Sequence, residues 1–573
     1  MKTSLAAAVA AAYAAAFAAD PPPIADLSAM LEVPPDPAMG DYALPCFRFA
    51  KNLRKAPPVI ASSLAAAWPS PDIAGVSVAG GYLNFALERG AFTVRTLEAV
   101  RSAPGAFGVS DEGAGKTIVI DYSSINIAKR PHIGHLWTTM IGHSLKRLFE
   151  NLGYSVVGVN HLGDWGTQFG KMISAYRRWG SREAVERGGV QSLVDLYVRF
   201  HKEAEADPTL NDEGREWFLR IERGDPEALE LFGWFKEMTL RDVERVYALL
   251  GVAFDAYTGE SFYNDKTRPV VDILREKGLL SQSDGASIVD LGSDGMPPAL
   301  ILKRDGATLY TTRDLAAAIY RAETYHFDKC LYVVAYHQDL HFRQFFRVLE
   351  LMGYPWAKDL VHVSYGMVSY EGSPLSTREG HIVYLDDVLD AAVTKARALI
   401  DEKSPDLPDK DATARVVGIG AIVYAALASG RIKDVDFRWA RALNFDGETG
   451  PYVQYTHARC CSVLGKAAAA GLDWSGSQPW SPDALANDEA RAVLLLISRF
   501  PEAAADAARK YEPSILTRHI TQTAQAYNRY YYEHRILYGE PSSQRAGVIL
   551  TEAARDILKR GLYLVGIDAP ERM

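Results

Sequence analysis

The sequence predicts an α/β protein: a parallel sheet covered by helices, with a small α+β region before it and an all-helical region after it. Three observations carry this expectation. Over residues 106–405, apolar and β-branched runs ("KTIVIDYS", "YSVVGVN", "KCLYVVAY", "LVHVSYGMVSY") alternate with helical patterns. Such alternation means parallel strands joined by crossover helices. After the Pro/Asp-rich "DEKSPDLPDKDA", over 406–573, strand signals vanish and a 3.6-residue period takes over, as in "RAVLLLISRFPEAAADAARK". Residues 1–105 mix alanine-rich helix with short strands such as "VSVAGGYLNFAL". A chain of 573 residues is too long for one core, in keeping with several domains. A charged, helical insertion interrupts the α/β pattern at 181–250, and no internal repeat is visible.

The first twenty residues, "MKTSLAAAVAAAYAAAFAAD", combine a lysine, an apolar run and small residues, as a secretory signal does. Alanine, however, is the best helix former and only weakly hydrophobic. With Tyr13 and Phe17 four residues apart, a surface-packed first helix explains the run as well. No other stretch approaches the ~20 apolar residues of a membrane span, so no membrane partner is expected. Hydrophobic content of 48% and charged content of 23% are those of a folded soluble protein. A net charge of −9 argues against nonspecific coating of nucleic acid, but leaves room for a local surface that binds one RNA. Cys46, Cys330, Cys460 and Cys461 form no C-x-x-C pair, so neither a zinc site nor a disulfide framework is suggested. A reducing, cytoplasmic setting fits.

The chemistry concentrates in "NIAKRPHIGHLW", residues 126–137. "TIVIDYSS" reads as a buried strand, and Pro131 suits the first turn of a helix, where its missing N–H costs nothing. His132 and His135 then sit where strand ends and helix begins. Free N–H groups and the positive end of the helix dipole make an anion site there. In an open α/β sheet this is also where ligands bind. Three residues apart, the histidines share a helix face. Gly134 between them lets a flat base or a phosphate approach the backbone. A metal reading needs a third ligand, and neither a zincin glutamate nor a Cys/His cluster is present, so no metal site is expected. Two surface histidines on an ordinary helix remain the alternative from these residues alone.

"HIGH" after a first strand resembles the signature of class I aminoacyl-tRNA synthetases. The stretch "DYSSINIAKRPHIGHLWTTMIGHSLKRLFENLGYSVVGVNHLGDWGTQFG" is similar to the arginyl-tRNA synthetase version of it. "GATLYTTRDLAAAIYR", "YHQDLHFRQFF", "STREG", "GETGPYVQYTHAR" and "LVGIDAPERM" resemble further blocks of that family in the same order, covering nearly the whole chain. The resemblance implies a Rossmann-like catalytic domain at 106–405, an N-terminal tRNA-contacting domain at 1–105 and a helical anticodon-binding domain at 406–573. It implies ATP-dependent ligation of L-arginine to tRNA(Arg) through arginyl-adenylate, with Mg2+ accompanying ATP, by a monomer. Relatives often need bound tRNA before they activate arginine.

The same resemblance assigns residues. His132 and His135 stabilise charge on the phosphates, and Gly134, Ser376 and Arg378 join them in holding ATP. Guanidinium is best held by planar, bidentate partners. Asp314 and Tyr310, four residues apart and so on one face of a helix, would hold it, with Glu260 of "YTGES". Asp121, Ser123, Asn126, His132 and Gln338 would fix the α-amino and carboxylate groups. For tRNA, Tyr82 and Asn84 of "AGGYLNF" are implied at one end and Met573 at the other. Between them Tyr452, Tyr455, His457 and Arg459 mix aromatics and cations suited to stacking unpaired bases. The spacing of Tyr452 and Tyr455 equally fits packing inside a helical bundle.

One departure matters. Class I enzymes usually carry a second ATP loop of the K-M-S-K-S type; here "GSPLSTREG" puts Pro374 and Thr377 where its lysines are expected. Some arginyl enzymes resemble this and carry a lysine just upstream of HIGH, the place of Lys129. As a point charge on a flexible stem, Lys129 could reach the phosphates that the loop lysine would have met. A non-catalytic RNA-binding paralogue would usually have lost the HIGH histidines or the pocket acids. A class I enzyme for glutamate would line its pocket with Arg or Lys. A nucleotidyltransferase sharing only the sheet would not need the helical C-terminal region.

Overall fold

The apolar runs of the α/β region form one parallel sheet in the computed structural model, which describes residues 2–71, 73–374, 382–445, 447–476 and 478–573. Its strands, in chain order, are Thr117–Asp121, Ser155–Asn160, Ala256–Tyr257, Lys329–Tyr332 and Leu360–His362. Thr117–Asp121 lies at the centre. The next two strands build outward on one side, Lys329–Tyr332 pairs on the other, and Leu360–His362 closes that edge. Ile118, Val119 and Ile120 are at most 1% exposed, which explains why the strand reads as an unbroken apolar run rather than an alternating one. The chain leaves the central strand in opposite directions for its two neighbours. A crevice therefore opens beyond the carboxyl ends of Thr117–Asp121 and Lys329–Tyr332, the usual ligand position in such sheets.

Two shorter sheets depart from the expected pattern. Leu280–Ser283, Ala286–Val289 and Ala299–Leu302 form an antiparallel sheet of their own. "LVHVSYGMVSY" divides: Leu360–His362 joins the parallel sheet, whereas Val368–Tyr370 pairs with Ser373–Pro374 and with Val435–Phe437. Val435–Phe437 corrects the expectation of no strands after 406. Three residues are too few to display a period, and this strand exists through its parallel partner.

Contacts divide the chain into two compact units. One contains Met1–Phe107, Cys460–Phe500 and Gln525–Ile557; the other contains Gly108–Arg459, Pro501–Ala524 and Leu558–Met573. In the first, the alanine-rich run is the helix Lys2–Phe17, which buries Leu5, Ala6, Val9, Ala12 and Tyr13. The Tyr13 ring meets Phe17 at 5.1 Å and Phe49 at 5.5 Å, so packing supplies what weak hydrophobicity does not. Tyr42–Pro45, Tyr82–Leu87 and Ala74–Ala79 form an antiparallel sheet with Tyr82–Leu87 central. Arg101 donates to the Trp474 carbonyl at 3.1 Å and Arg89 to that of Ala486 at 2.9 Å, joining the N-terminal segment to the connections between helices of the same unit. Among the described residues, no helix is long and apolar enough to cross a membrane.

In the second unit the helix Ile133–Asn151 packs against the chain's last turns. Ser144 donates to the Leu564 carbonyl at 3.1 Å. Gly566, at φ +82°, comes so close that a Cβ there would lie 2.7 Å from Met140 Cε and 3.3 Å from His143 Cδ2. His143 is 5% exposed, and neither ring nitrogen has a hydrogen-bond partner among the described residues. Burial pushes it down to about 3. Unfolded, the same ring takes a proton near 6.5, so the unfolded chain binds more protons below that pH and stability falls as pH drops. This side chain is expected to cost about 2 kcal/mol of stability between pH 7.5 and pH 5. His143→Phe should therefore lose less melting temperature over that interval than the wild type; equal losses would contradict the assignment.

Candidate active site

The turn that follows the central strand is left-handed at two consecutive non-glycine residues, Ser123 (φ +72°) and Ser124 (φ +46°), and again at Ala128 (φ +59°). Such positions cost of order 1–3 kcal/mol each and persist only where neighbours enforce them. Here the Ser123 N–H donates to Thr138 Oγ1 at 3.1 Å, and Ser123 Oγ lies 2.7 Å from Tyr247 Oη. The Ala128 N–H donates to Thr239 Oγ1 at 3.0 Å.

The helix Ile133–Asn151 begins with a reciprocal cap made by the two signature histidines. The Gly134 N–H donates to His132 Nδ1, and the His132 N–H donates to His135 Nδ1, both at 3.1 Å. Each Nδ1 is thereby an acceptor, which places the ring proton of each neutral imidazole on Nε2. Burial, then the charge of Lys129, lowers the His132 pKa; burial, then His132, pushes His135 down to about 3. Two neutral rings with centroids 4.0 Å apart thus offer two Nε2–H donors beside a helix N-terminus. The segment 383–387 is pinned to the same place. The Ile133 N–H donates to the Val383 carbonyl and the Leu385 N–H to that of Pro131, both at 2.9 Å. Arg130 reaches Asp386 at 2.7 Å and Asp387 at 2.8 Å, with its guanidinium 3.9 Å from the Tyr384 ring centroid.

Two cavities adjoin at the crevice. One, of about 400 Å³, is lined by His132, Gly134, His135, Thr138 and the segment Tyr365–Val368. The other, of about 390 Å³, is lined by Asp121, Asn126, Glu260, Tyr310, Asp314 and Arg321 among others. Ser124, Val334 and Gln338 line both. In the second cavity the helix Tyr310–Tyr325 presents Tyr310, Asp314, Ala317 and Arg321 on one face, as spacings of four, three and four residues require. Asp314 Oδ2 lies 2.8 Å from His341 Nε2, and its Oδ1 lies 3.9 Å from His161 Nε2. Glu260 meets Arg313 Nε at 3.0 Å; burial raises its pKa more than Arg313 lowers it. The Asp121 carboxylate is paired at 2.8 Å with Arg321, which is 1% exposed, and it accepts the Ser124 hydroxyl at 3.0 Å.

Thus His132, Gly134 and His135 gather at one cavity, Asp121, Asn126, Glu260, Tyr310 and Asp314 at the other, and Gln338 at the shared wall. Ser123 lines the first cavity but not the second, and its hydroxyl is engaged by Tyr247 and Thr139; Ser124 lines both. Lys129 is exposed and lines a third cavity with Arg130, Asp242 and Asp386, although its charge bears on both histidines. Ser376 and Arg378 lie outside the described residues. Sequence reasoning missed Ser124, His161, Arg321 and His341. Arg321 was findable, because it falls seven residues after Asp314 on the same helix face.

The residues expected to touch RNA differ in exposure. Tyr82 and Tyr455 are exposed, with the Arg459 guanidinium 4.9 Å from the Tyr455 ring. Asn84 is 5% exposed in the central strand of its sheet and offers less surface than Tyr82. His457 is likewise buried, with Nδ1 at 2.9 Å from the Pro570 carbonyl oxygen. Tyr452 is half-buried. Met573 packs on the cluster of Ala396, Ile400, Ala414 and Val417. Among the described residues, no group of three or more His, Cys, Asp or Glu is placed to hold a metal ion.

Known proteins match nearly the whole chain. Residues 105–439 match the family model described as tRNA synthetases class I (R), catalytic domain. Residues 453–573 match the DALR anticodon binding domain, and residues 1–87 the arginyl tRNA synthetase N terminal domain. An arginine–tRNA ligase of Alkaliphilus metalliredigens is 50% identical over 549 residues, 96% of each chain. One from Clostridioides difficile is 48% identical over 552 residues, again 96% of each. The solved arginyl-tRNA synthetase of Thermus thermophilus superposes with a TM-score of 0.80 at 26% identity, covering 100% of both chains. The Plasmodium falciparum enzyme, 20% identical, shares the fold with a TM-score of 0.80 over 100% of this chain and 99% of its own. With half its residues identical to a curated relative across nearly its full length, the chain belongs to the arginyl-tRNA synthetase family of class I aminoacyl-tRNA synthetases.

Proposed function

We propose that the chain ligates L-arginine to tRNA(Arg) at the two adjoining cavities, forming arginyl-adenylate first. The observation that carries this reading is the shared wall: an acid-lined cavity opens onto one headed by two neutral histidines at a helix start. Asp314, Glu260 and Tyr310 receive the guanidinium. A cation beside Glu260 opposes the burial that raises its pKa and so favours the charged carboxylate. Asn126, Gln338 and Ser124 take the α-amino and carboxylate groups, with Asp121 acting through its bond to Ser124. The charge of Asp121 is already balanced by Arg321.

In the first step a carboxylate oxygen of arginine attacks the α-phosphorus of ATP, and the bond to diphosphate breaks with its electrons on the leaving oxygen. No proton has to move, since the attacking carboxylate is ionised at pH 7. What the step needs is donors aimed at oxygens that gain charge. The Nε2–H groups of His132 and His135 and the free N–H groups of the first helical turn supply them. Magnesium enters with the ATP phosphates as part of the substrate. In the second step a terminal ribose hydroxyl of tRNA attacks the acyl carbonyl, and AMP leaves.

Lys129 serves in place of the lysine that the second loop lacks. It is exposed and stands three residues before His132, the cap of the helix Ile133–Asn151. Lys129→Ala is expected to lower arginine-dependent pyrophosphate exchange about tenfold while the arginine KM stays within about twofold, an effect confined to phosphate charge. Exchange near wild type would sink the assignment.

For tRNA, the region 1–105 contributes Tyr82, and the helical region 406–573, as the anticodon-binding part, contributes Tyr455 with Arg459. The buried His457 and Met573 anchor the chain's end. One chain lines both cavities, so a monomer suffices, working in the cytoplasm where charged tRNA is used. The test is ATP-dependent esterification of labelled arginine to a tRNA(Arg) transcript. Binding of the transcript without AMP formation would favour a non-catalytic RNA-binding paralogue.

A further inference from the structure

The helical insertion reaches the active site through one face of its last helix, Pro226–Leu250. Lys236, Thr239 and Tyr247 stand three and eight residues apart on that helix. Each bonds a different active-site segment. Tyr247 meets Ser123 at 2.7 Å and accepts Asn160 Nδ2 at 2.9 Å. Thr239 accepts the N–H of left-handed Ala128. Lys236 Nζ lies 2.6 Å from Oδ2 of Asp164, a carboxylate with no exposed surface.

Asp164 is the centre of the third contact. Its Oδ1 accepts the Ser261 N–H at 2.8 Å and its Oδ2 accepts the Ser261 hydroxyl at 2.7 Å. Gly259 lies so close that a Cβ there would be 2.4 Å from Asp164 Oδ1. Between these two residues is Glu260, whose own N–H donates to the Leu162 carbonyl at 3.0 Å. The backbone on both sides of Glu260 is therefore set by Asp164, and Asp164 is held by the insertion.

We propose that Lys236 is a positioning residue for arginine recognition: acting through Asp164, it holds the Gly259–Ser261 turn so that the Glu260 carboxylate lines the arginine cavity. This rests on the reading of Glu260 as a guanidinium partner. Displacing a recognition group by about an ångström costs roughly ten- to a hundredfold. Lys236→Met should raise the arginine KM about tenfold in pyrophosphate exchange with tRNA(Arg) present, leave the ATP KM within about twofold, and be rescued by Lys236→Arg.

The decisive comparison is a double-mutant cycle with Glu260→Gln. If Lys236 acts through Glu260, the double variant has the arginine KM of Glu260→Gln alone. Lys236→Gln repeats the cycle where Lys236→Met yields too little folded enzyme. The proposal is overturned by an arginine KM that Lys236→Met leaves unchanged while Glu260→Gln raises it. Multiplicative effects in the double variant overturn it too, as does an equal rise in both KM values that Lys236→Arg does not rescue. An arginine KM unchanged by Glu260→Gln itself would instead remove the reading of Glu260, and with it the group that Lys236 positions.

Discussion

Asp314→Asn should lower kcat/KM for arginine by about a hundred- to a thousandfold, chiefly through KM, while the ATP KM stays near wild type. The substitution keeps the shape of the side chain and removes its charge. Losing one member of a partly buried, hydrogen-bonded charge pair costs about 2–5 kcal/mol, and guanidinium with carboxylate is the strongest such pairing among side chains. Asp314 lines the acid-lined cavity and not the one beside the histidines, which is why arginine and ATP should separate in the result. His341, 2.8 Å from Oδ2, orients the carboxylate. Parallel substitution of Asp328, which precedes the amino end of the strand Lys329–Tyr332 and lines neither cavity, provides a control acid. Steady-state pyrophosphate exchange with each substrate varied checks this; a loss under about fivefold would remove Asp314 from the guanidinium site.

His135→Asn should lower the adenylation rate by about a hundred- to a thousandfold, as loss of a donor to developing negative charge does, with the arginine KM within about threefold. Asparagine places an acceptor oxygen where Nδ1 was, so the cap from the His132 N–H is kept while the Nε2–H donor is lost. The effect then reports on phosphate stabilisation rather than on a damaged helix start. The same geometry sets the pH dependence. With the His135 pKa at about 3, the ring stays neutral from pH 5.5 to 8, so no acid limb in that range should arise from it. A limb near pH 6.5 that disappears in His135→Asn would show that the ring titrates in solution as a free imidazole. A rate loss under about tenfold would contradict its role.

What was legible in the sequence follows physical rules that hold locally. The buried central strand announces itself as "TIVID", whereas the expectation that Pro131 occupies the first helical turn is corrected: the helix begins at Ile133 with His132 as its cap, and Pro131 lies before the cap. Tyr310 and Asp314 share a helix face, and the same stripe extended by seven residues would have supplied Arg321. The choice between Ser123 and Ser124 was not legible. Strand alternation ends where φ turns positive, and after that the sequence carries no rule for which hydroxyl faces the cavity. The insertion read only as charged helix, because Lys236 meets Asp164 across 72 residues and no local period reports such a pair. The strand Val435–Phe437 and the sheet over Leu280–Leu302 are short and largely half-exposed or exposed, so neither burial nor alternation stands out from turn sequence. Exposure separates Tyr82 and Tyr455 from the buried Asn84 and His457, a distinction that aromatic and polar composition alone does not make.

The most direct measurement is ATP–pyrophosphate exchange with each of the protein amino acids in turn, with and without tRNA(Arg). Arginine is the only one expected to support exchange, and adding tRNA changes its rate but not its selectivity. Exchange supported by glutamate or any other amino acid, or no exchange under either condition, would contradict the assignment of the acid-lined cavity to arginine and of the histidine-headed cavity to ATP.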